Sequence, residues 1–274
     1  MIKIFADPCC NFSGQQLRNL GVELLPYYVK YGDKRYLITT DYDQYTPDEQ
    51  FKMLAETGLS FERPNLGEWL DLIESWLSKG YDILYIAMTQ KITGSGATLA
   101  IIQEELSQKY SQQIVTYDTK CCSWGTAYML QSACILNELG RSIEQIIQEL
   151  DNIRPRIQNW YLPENGKSWK QAKRGDVDTL ENETVFTLLT CDINGIFRPE
   201  GEFKNRKDGI DYIKDNFQNS EIYLSFTDDV PEYEKDYLLS LLPIERTHLS
   251  ELCSPPFTAG TVGKNSIEMA IIKD

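Results

Sequence analysis

The sequence predicts an α/β fold, with a parallel-sheet domain at the N-terminus and a smaller α+β domain after it, and a ligand cleft between the two. Three short apolar strands, at residues 3–6, 83–88 and 114–117, each run into a polar loop and then a helix, which is typical of a parallel sheet. The second of these strands is almost continuously apolar, which indicates a sheet covered on both faces. Beyond Arg154-Pro155 the pattern changes to short strands between charged helical stretches, so the domains are predicted as 1–155 and 156–274.

The elements of the first domain follow from local signals. The segment Thr46-Pro47 combines an N-cap with proline at the first helical position. Apolar residues spaced along 66–77 fall on one helix face, and Gly140 ends the last long helix. In chain order, the predicted elements are a strand at 2–6, a helix opened by 11–14, an extended segment at 22–28, a hairpin at 27–38, a helix from 46, a helix at 66–77, a strand at 82–88, a helix at 97–106, a strand at 114–117, and helices at 124–139 and 142–153.

The second domain is predicted with less regular elements. Short strands are expected at 185–189, 195–197 and 222–226, with a turn at 192–195. Charged helical stretches separate these strands, which is the pattern of a small α+β domain.

Charge and composition exclude several function classes. The 274 residues carry a formal net charge of -14, so a phosphate-rich polymer is repelled, and only residues 167–174 form a dense basic stretch. We therefore expect no nucleic acid partner. No apolar run of about 18 residues occurs and the N-terminus already has a strand pattern, so we expect no stable membrane insertion and a cytoplasmic protein.

The seven cysteines are predicted to be reduced, buried thiols. Cys9-Cys10 and Cys121-Cys122 are adjacent pairs whose side chains point apart on an extended chain, so neither pair chelates a metal. His248 is the single histidine, which leaves almost no material for a zinc site or a Cys/His catalytic pair. We expect neither a metal nor a cofactor.

The segment from Met88 to Ala100 is a hydroxyl- and glycine-rich turn between a strand and a helix, which predicts an anion-binding site at the helix N-terminus. A phosphate, a nucleotide and a carboxylate can all use this geometry. Thr93 is also suited to a purely structural role as a helix cap. The strand-end carboxylates Asp7 and Asp118 are more typical of groups that cap backbone N–H than of acid–base catalysts.

The order of these pieces resembles the DegV family. A strand followed by Asp7-Pro8-Cys9-Cys10-Asn11-Phe12 is similar to the family's Asp-Ser-x-x-Asp-Leu, and Phe61-Glu62-Arg63-Pro64 stands at its Thr-Ser-x-Pro loop. The turn from Thr89 to Gly96 aligns with its Ser-Ser-x-Leu-Ser-Gly-Thr-Tyr, and Asp118-Thr119 aligns with its Asp-Ser turn. The resemblance covers nearly the whole chain.

The resemblance implies a fatty acid bound in a tunnel between the two domains. The family's carboxylate-binding hydroxyl is kept in kind by Thr93, beside Gly94 and Ser95, while Phe61 replaces a family threonine. The family's arginine early in the second domain falls at Lys170, with Arg63 as another possible source of positive charge, and Thr261 lies in its late histidine loop. The ligand-binding residues implied are Thr93, Gly94, Ser95, Arg63, Phe61, Lys170 and Thr261.

Two function classes remain open at this point. The resemblance implies a non-catalytic carrier of a long-chain fatty acid that presents the acid to a separate fatty acid kinase. The alternative is a small-molecule or nucleotide-dependent enzyme that uses Gly94-Ser95-Gly96 as a phosphate loop. Against the enzyme, the segment has no Gly-Lys-Ser/Thr, and Leu99 stands where the dinucleotide fingerprint has its third glycine.

Overall fold

The computed structural model describes residues 1–31, 33–38, 60–62, 65–163, 186–227, 230–250 and 265–274. The strands are β1 (Ile2–Ala6), β2 (Glu23–Leu24), β3 (Tyr27–Tyr31), β4 (Lys34–Ile38), β5 (Ser60–Glu62), β6 (Asp82–Ala87), β7 (Ile114–Asp118), β8 (Ile157–Leu162), β9 (Phe186–Cys191), β10 (Phe197–Phe203), β11 (Ser220–Phe226), β12 (Thr247–Leu249) and β13 (Ile267–Lys273). The helices are α1 (Gly14–Asn19), α2 (Leu66–Leu77), α3 (Ser95–Leu106), α4 (Ser123–Glu138), α5 (Ile143–Ile153), α6 (Arg206–Ile213) and α7 (Glu232–Leu241).

The first sheet is parallel, as the sequence predicts. Its strands lie in the order β2-β1-β6-β7, and every neighbouring pair is parallel. Strand β6 is buried from Ile83 to Ala87, which confirms a central strand covered on both faces. Helix α2 has the predicted bounds because Asn65 and Glu68 form a reciprocal capping box at its start. The parallel order brings the carboxyl ends of β1, β6 and β7 to one edge.

A small antiparallel sheet in the order β4-β3-β5 lies beside the first sheet. Strands β3 and β4 confirm the predicted hairpin. The extended segment predicted at 22–28 is in fact two strands, because the chain breaks at Pro26, which has no N–H to donate to a ladder. Just before it, the Leu25 N–H donates to the Ala6 carbonyl at 3.0 Å. The helix predicted from Thr46-Pro47 lies outside the described residues.

The second sheet is mixed and has six strands in the order β10-β9-β8-β13-β11-β12. The strands predicted at 185–189 and 222–226 correspond to β9 and β11. The strand predicted at 195–197 is wrong in its bounds, because the turn at 192–195 delays β10 until Phe197 and the strand then continues to Phe203. The two strands at its centre, β8 and β13, were not predicted. Strand β13 is buried on both faces. Ile267, Met269 and Ile271 pack in the cluster that includes α6 and α7, and Ala270 and Ile272 pack in the cluster of the first domain.

One hydrophobic cluster therefore runs through both parts of the chain. It joins the first sheet and α4 to residues of β8, β9 and β13, so one face of the second sheet is packed against the first domain. The opposite face is covered by α6 and α7. The predicted boundary at 155/156 falls between α5 and β8 and stays a prediction. Among the described residues, no helix is both long enough and apolar enough to cross a membrane.

Gly195 provides a test of how closely the second sheet approaches the first. Its φ is +80°, and an added Cβ would lie 2.2 Å from Thr89 Oγ1 and 3.1 Å from Lys120 Cα. Gly80 has a similar φ of +85° with nothing within 4 Å, so it is a matched control. Both Gly→Ala variants pay about 1–2 kcal/mol of backbone strain. We expect Gly195→Ala to lower the free energy of unfolding by about 1–3 kcal/mol more than Gly80→Ala, because it also overpacks the contact.

Urea unfolding followed by circular dichroism measures both variants against the wild type. Equal losses for the two alanines would contradict the close approach of Gly195 to Thr89.

Candidate functional site

Polar groups from the ends of three strands meet at one edge of the first sheet, which we call the rim. Asp7 follows β1, the turn from Met88 follows β6, and Asp118 ends β7. The Met88 N–H donates to Asp7 Oδ2 at 2.7 Å, and the Gln90 N–H donates to Asp118 Oδ1 at 3.3 Å. The predicted convergence is confirmed, and both carboxylates cap backbone N–H groups as expected.

A line of hydroxyl groups leads from Asp7 to Thr93. The Tyr85 hydroxyl lies 2.5 Å from Asp7 Oδ1 and 2.8 Å from Ser95 Oγ. Ser95 Oγ lies 3.2 Å from Thr93 Oγ1, which is 3.4 Å from the Tyr27 hydroxyl. We call Tyr85, Ser95 and Thr93 the hydroxyl chain. Its inner members are fully buried, and Thr93 at its outer end is half-buried.

Burial controls the ionisation of the acid at the inner end of the hydroxyl chain. Asp7 is 1% exposed, and burial raises its pKa to about 7 even though hydrogen bonds from Tyr85 and Met88 favour the charged form. The nearby charge of Asp118 raises it further. Burial and the neighbouring Asp7 raise the pKa of Tyr85 well above its ordinary value, so its phenol keeps its proton.

The N-terminus of α3 is partly occupied by side chains of the same turn. The Gly96 N–H donates to Gln90 Oε1 at 2.8 Å, and the Ser95 N–H donates to Thr93 Oγ1 at 3.3 Å. Gln90 Nε2 donates to Met88 O at 3.0 Å and to Ser95 Oγ at 3.3 Å. The Ser95 hydroxyl faces inward, and two of the first N–H groups of the helix already have partners. The N-cap residue is Gly94, which has no side-chain cap bond, so Thr93 supports the turn through the Ser95 N–H and has its hydroxyl at the rim.

The second sheet is hydrogen-bonded to the rim through backbone carbonyls. Thr89 Oγ1 donates to Gly195 O at 2.8 Å. The Arg154 guanidinium, 6% exposed, donates to Lys120 O at 2.9 Å and to Asp192 O at 2.7 Å. The charge of Arg154 is therefore used in joining the two parts of the chain.

A buried carboxylate on the second sheet makes a further contact that the sequence analysis missed. Asn11 Nδ2 donates to Ser123 Oγ at 2.6 Å and to Glu268 Oε2 at 3.1 Å, and the Ser123 hydroxyl also donates to Glu268. All three side chains are buried. Asn11 and Ser123 have φ of 47° and 54°, which sequence patterns rarely reveal. The available signal was Glu268, a charged residue inside the apolar run 267–272.

A cavity of about 730 Å³ opens where α1 and α4 meet β12. Aromatic rings form one wall, with Tyr223 stacked on His248 at 4.4 Å between centroids and tilted against Trp124 at 5.8 Å. Trp124 Nε1 donates to Ser225 Oγ at 3.0 Å, which ties this wall to the second sheet. His248 is therefore packed on an aromatic ring.

Four members of the predicted ligand-binding set cannot be compared with the structure. Arg63, Lys170 and Thr261 lie outside the described residues. Phe61 is described only as part of β5, where its backbone pairs with Val29. Thr93, Gly94 and Ser95 lie together at the start of α3. Within the described ranges, no group of three or more His, Cys, Asp or Glu side chains is placed to hold a metal ion.

The described cysteines are free thiols and all are buried. Burial raises the pKa of Cys10 to about 12 and that of Cys121 to about 11, so these thiols stay protonated near neutral pH. Cys9 Sγ lies 3.2 Å from Met88 Sδ. These features fit the predicted packing role. Cys253 lies outside the described residues.

We expect the buried thiols to react slowly with a bulky thiol reagent while the protein is folded, and fully once it is unfolded. The measurement is the rate of modification in a Cys253→Ser background, which removes the cysteine that is not described. Rapid modification of Cys9 or Cys121 that a fatty acid blocks would instead place a reactive thiol at a ligand site.

Asp7 should make the stability of the protein depend on pH in a defined direction. Between pH 4 and 7 the folded protein holds a proton on Asp7 that the unfolded chain has released, so the free energy of unfolding falls as pH rises through this window. The raised pKa corresponds to about 4 kcal/mol, complete by about pH 8. Asp7→Asn removes this contribution.

From pH 4 to pH 8 the wild type should therefore lose unfolding free energy that Asp7→Asn does not lose. The variant should become steadily more stable relative to the wild type over this range. Urea titrations at several pH values measure it, and subtraction cancels the other carboxylates. Parallel pH curves for the two proteins would contradict a raised pKa at Asp7.

Comparisons with known proteins agree on one family. The family model described as "Uncharacterised protein, DegV family" matches residues 1–167. The DegV domain-containing protein YteA of Lactococcus lactis is 21% identical over 212 residues, which cover 70% of this chain and 72% of that protein.

Solved structures share the fold over the full length. A fatty-acid-binding DegV family protein from Thermus thermophilus gives a TM-score of 0.81 at 20% identity, covering 100% of this chain and 99% of that one. A stearic-acid-binding protein from Eubacterium ventriosum gives 0.82 at 19% identity, covering 100% and 98%. The sequence resemblance is thereby confirmed: because the family model matches more than half of its residues, this chain belongs to the DegV family.

Proposed function

We propose that this protein binds a long-chain fatty acid in a tunnel between its two domains, with the carboxylate at Thr93, and acts as a carrier. The observation that carries this proposal is the half-buried Thr93 hydroxyl at the rim, supported from behind by Ser95, Tyr85 and Asp7. Membership of the DegV family supports it, because relatives with the same fold are described as fatty-acid-binding proteins.

In this proposal Thr93 is the group that contacts the acid. Its hydroxyl is the outermost of the hydroxyl chain, whereas Ser95 is fully buried and bonded to Tyr85. Ser95 and Gly94 therefore shape the turn and hold Thr93 in place. Lys170 or Arg63 supplies the positive charge that a carboxylate requires, and Phe61 and Thr261 line the head-group site, as the family resemblance implies.

The phosphate-loop alternative has less support from the geometry. A phosphate at Gly94-Ser95-Gly96 needs free N–H groups at the start of α3. The Gly96 and Ser95 N–H groups already donate to Gln90 and Thr93, and the Ser95 hydroxyl points into the protein. A bound phosphate has to displace Gln90 from both of its contacts with this turn.

We also propose that the carrier presents its acid to a separate fatty acid kinase. Support for this step comes from the family resemblance. A carrier of this kind holds the carboxylate near the surface and the acyl chain inside, and the half-buried position of Thr93 is compatible with such access. In this scheme the kinase supplies the catalytic groups, and the present chain supplies none.

Thr93→Val tests the head-group assignment, since it keeps the shape of the side chain and deletes the donor. A charge-assisted hydrogen bond contributes roughly 1.5–3 kcal/mol, so the affinity for oleate should fall on the order of ten- to a hundredfold. The loss should be much smaller for the methyl ester of the same acid, which makes the same apolar contacts. Calorimetry on delipidated protein measures both ligands.

Thr190→Val is the matched control, because the Thr190 hydroxyl donates to the Asn159 carbonyl at 3.0 Å within the second sheet. It should bind oleate like the wild type. Unchanged binding by Thr93→Val would remove the head-group assignment. Native mass spectrometry of the purified protein separates the two function classes, since an adduct of acyl-chain mass supports the carrier and a nucleotide adduct supports the enzyme.

A further inference from the structure

The hydroxyl chain is a set of groups that must all donate in the same direction. Each hydroxyl has one proton to donate. Tyr85 lies within hydrogen-bond distance of Asp7 and Ser95, and Ser95 lies within reach of Tyr85 and Thr93. When one hydroxyl donates toward Asp7, its neighbours donate in the same direction, and we call this the inward arrangement. When they donate toward Thr93 instead, we call it the outward arrangement.

The inward arrangement belongs to an ionised Asp7. A carboxylate accepts only, so Tyr85 donates to Asp7, Ser95 donates to Tyr85, and Thr93 donates to Ser95. The Thr93 proton is then used inside the protein. Thr93 Oγ1 then has no proton for the rim: it accepts from the Ser95 N–H and lies 3.4 Å from the Tyr27 hydroxyl, and its lone pairs repel a carboxylate.

The outward arrangement requires a protonated Asp7. Asp7 then donates to Tyr85, Tyr85 to Ser95, and Ser95 to Thr93, which frees the Thr93 proton for a ligand. Ser95 is satisfied in both arrangements, because Gln90 Nε2 donates to its oxygen in either case. The same geometry therefore serves both directions without an orphaned buried group.

We propose that an anionic head group binding at Thr93 takes up one proton, which is stored on Asp7 through Tyr85 and Ser95; this inference rests on the proposed function. The proton enters at the Thr93 oxygen from solvent, or from the ligand itself when it arrives as the neutral acid. Thr93 passes its inward proton to Ser95, Ser95 to Tyr85 and Tyr85 to Asp7. One proton is gained, every hydroxyl remains neutral, and Asp7 and Tyr85 are positioning residues for the Thr93 donor.

The surroundings of Asp7 favour this uptake. Tyr85, Cys9 and Cys10 are neutral and Asp118 adds a like charge, while burial raises the pKa of Asp7 to about 7. A second anion at Thr93 disfavours the ionised form further. Uptake is expected where Asp7 is ionised in the free protein, which is above about pH 7, and it should vanish below that value because the proton is already bound.

The test uses dodecanesulfonate below its micellar concentration, because a sulfonate stays ionised throughout the pH range and any proton taken up belongs to the protein. Calorimetry in buffers of different ionisation enthalpy gives the number of protons. We expect about 0.9 proton at pH 8 and about 0.1 at pH 6, and an affinity that falls about tenfold per pH unit above pH 7.

Two variants and their matched controls locate the uptake. Asp7→Asn can donate its amide N–H to Tyr85 at every pH, so it should bind with no proton uptake and no pH dependence. Tyr85→Phe interrupts the chain and should also lose the uptake. The controls are Asp151→Asn and Tyr117→Phe, since the Tyr117 hydroxyl donates to Asp151 at 2.9 Å in a similar pair outside the chain. Both should keep the uptake of the wild type.

The outcomes separate this inference from the proposed function. If the delipidated wild type binds neither dodecanesulfonate nor oleate, the proposed function fails and the inference with it. If binding occurs and depends on Thr93 but is accompanied by no proton at pH 8, the inference alone is overturned. Uptake by Asp7→Asn equal to that of the wild type also overturns it, and this variant decides the matter if Tyr85→Phe does not fold.

Discussion

The arrangement of the rim depends on one buried carboxylate. Asp7 accepts from the Met88 N–H with one oxygen and from the Tyr85 hydroxyl with the other, so it joins the loop after β1 to both the end and the interior of β6. A buried charge of this kind is tolerated only when its oxygens are satisfied. The turn that follows β6 is thereby fixed at its first residue, and α3 begins at a defined place relative to the sheet.

The division of work between Thr93 and Ser95 follows from that constraint. Because Tyr85 points toward Asp7 from the middle of β6, its hydroxyl lies directly beneath the start of α3, where Ser95 is its partner. A serine there cannot face the rim as well. Thr93, two residues earlier, is outside this contact and only half-buried. A turn rich in hydroxyl groups can thus have one group available to a ligand and the next used to support it.

Sequence patterns predicted the part of the fold whose signals are local. The apolar run at 83–88 identified the central strand, and the order of strands and helices placed Asp7, Asp118 and the turn at one edge. Strands β8 and β13 were missed because their identity depends on pairing with each other, 105–115 residues apart in sequence, and hairpin or strand–helix signals do not mark them. Pairing over such distances has no local signature.

The candidate site shows the same limit at the level of single residues. Tyr85 counts as apolar in a strand pattern, yet its hydroxyl links Asp7 to Ser95, and nothing in its neighbours along the chain indicates this. Gln90 looks like an ordinary loop residue, but it supplies an acceptor to Gly96 and a donor to Ser95. Polar groups that bond across the sheet are specified by the fold, and only the fold reveals them.

The second sheet completes the rim by supplying acceptors. The Gly195 carbonyl accepts from Thr89, and the Asp192 carbonyl accepts from Arg154. The Glu268 carboxylate accepts from both Asn11 and Ser123. Arg154 belongs to neither sheet, and it bonds to carbonyls on both sides of the contact. These bonds are buried, so moving the two parts of the chain away from each other breaks them, and each buried polar group left unsatisfied costs about 1–3 kcal/mol. The turn that carries Thr93 begins near Thr89, which is bonded to the second sheet. The position of Thr93, the proposed donor to the head group, therefore depends on both domains.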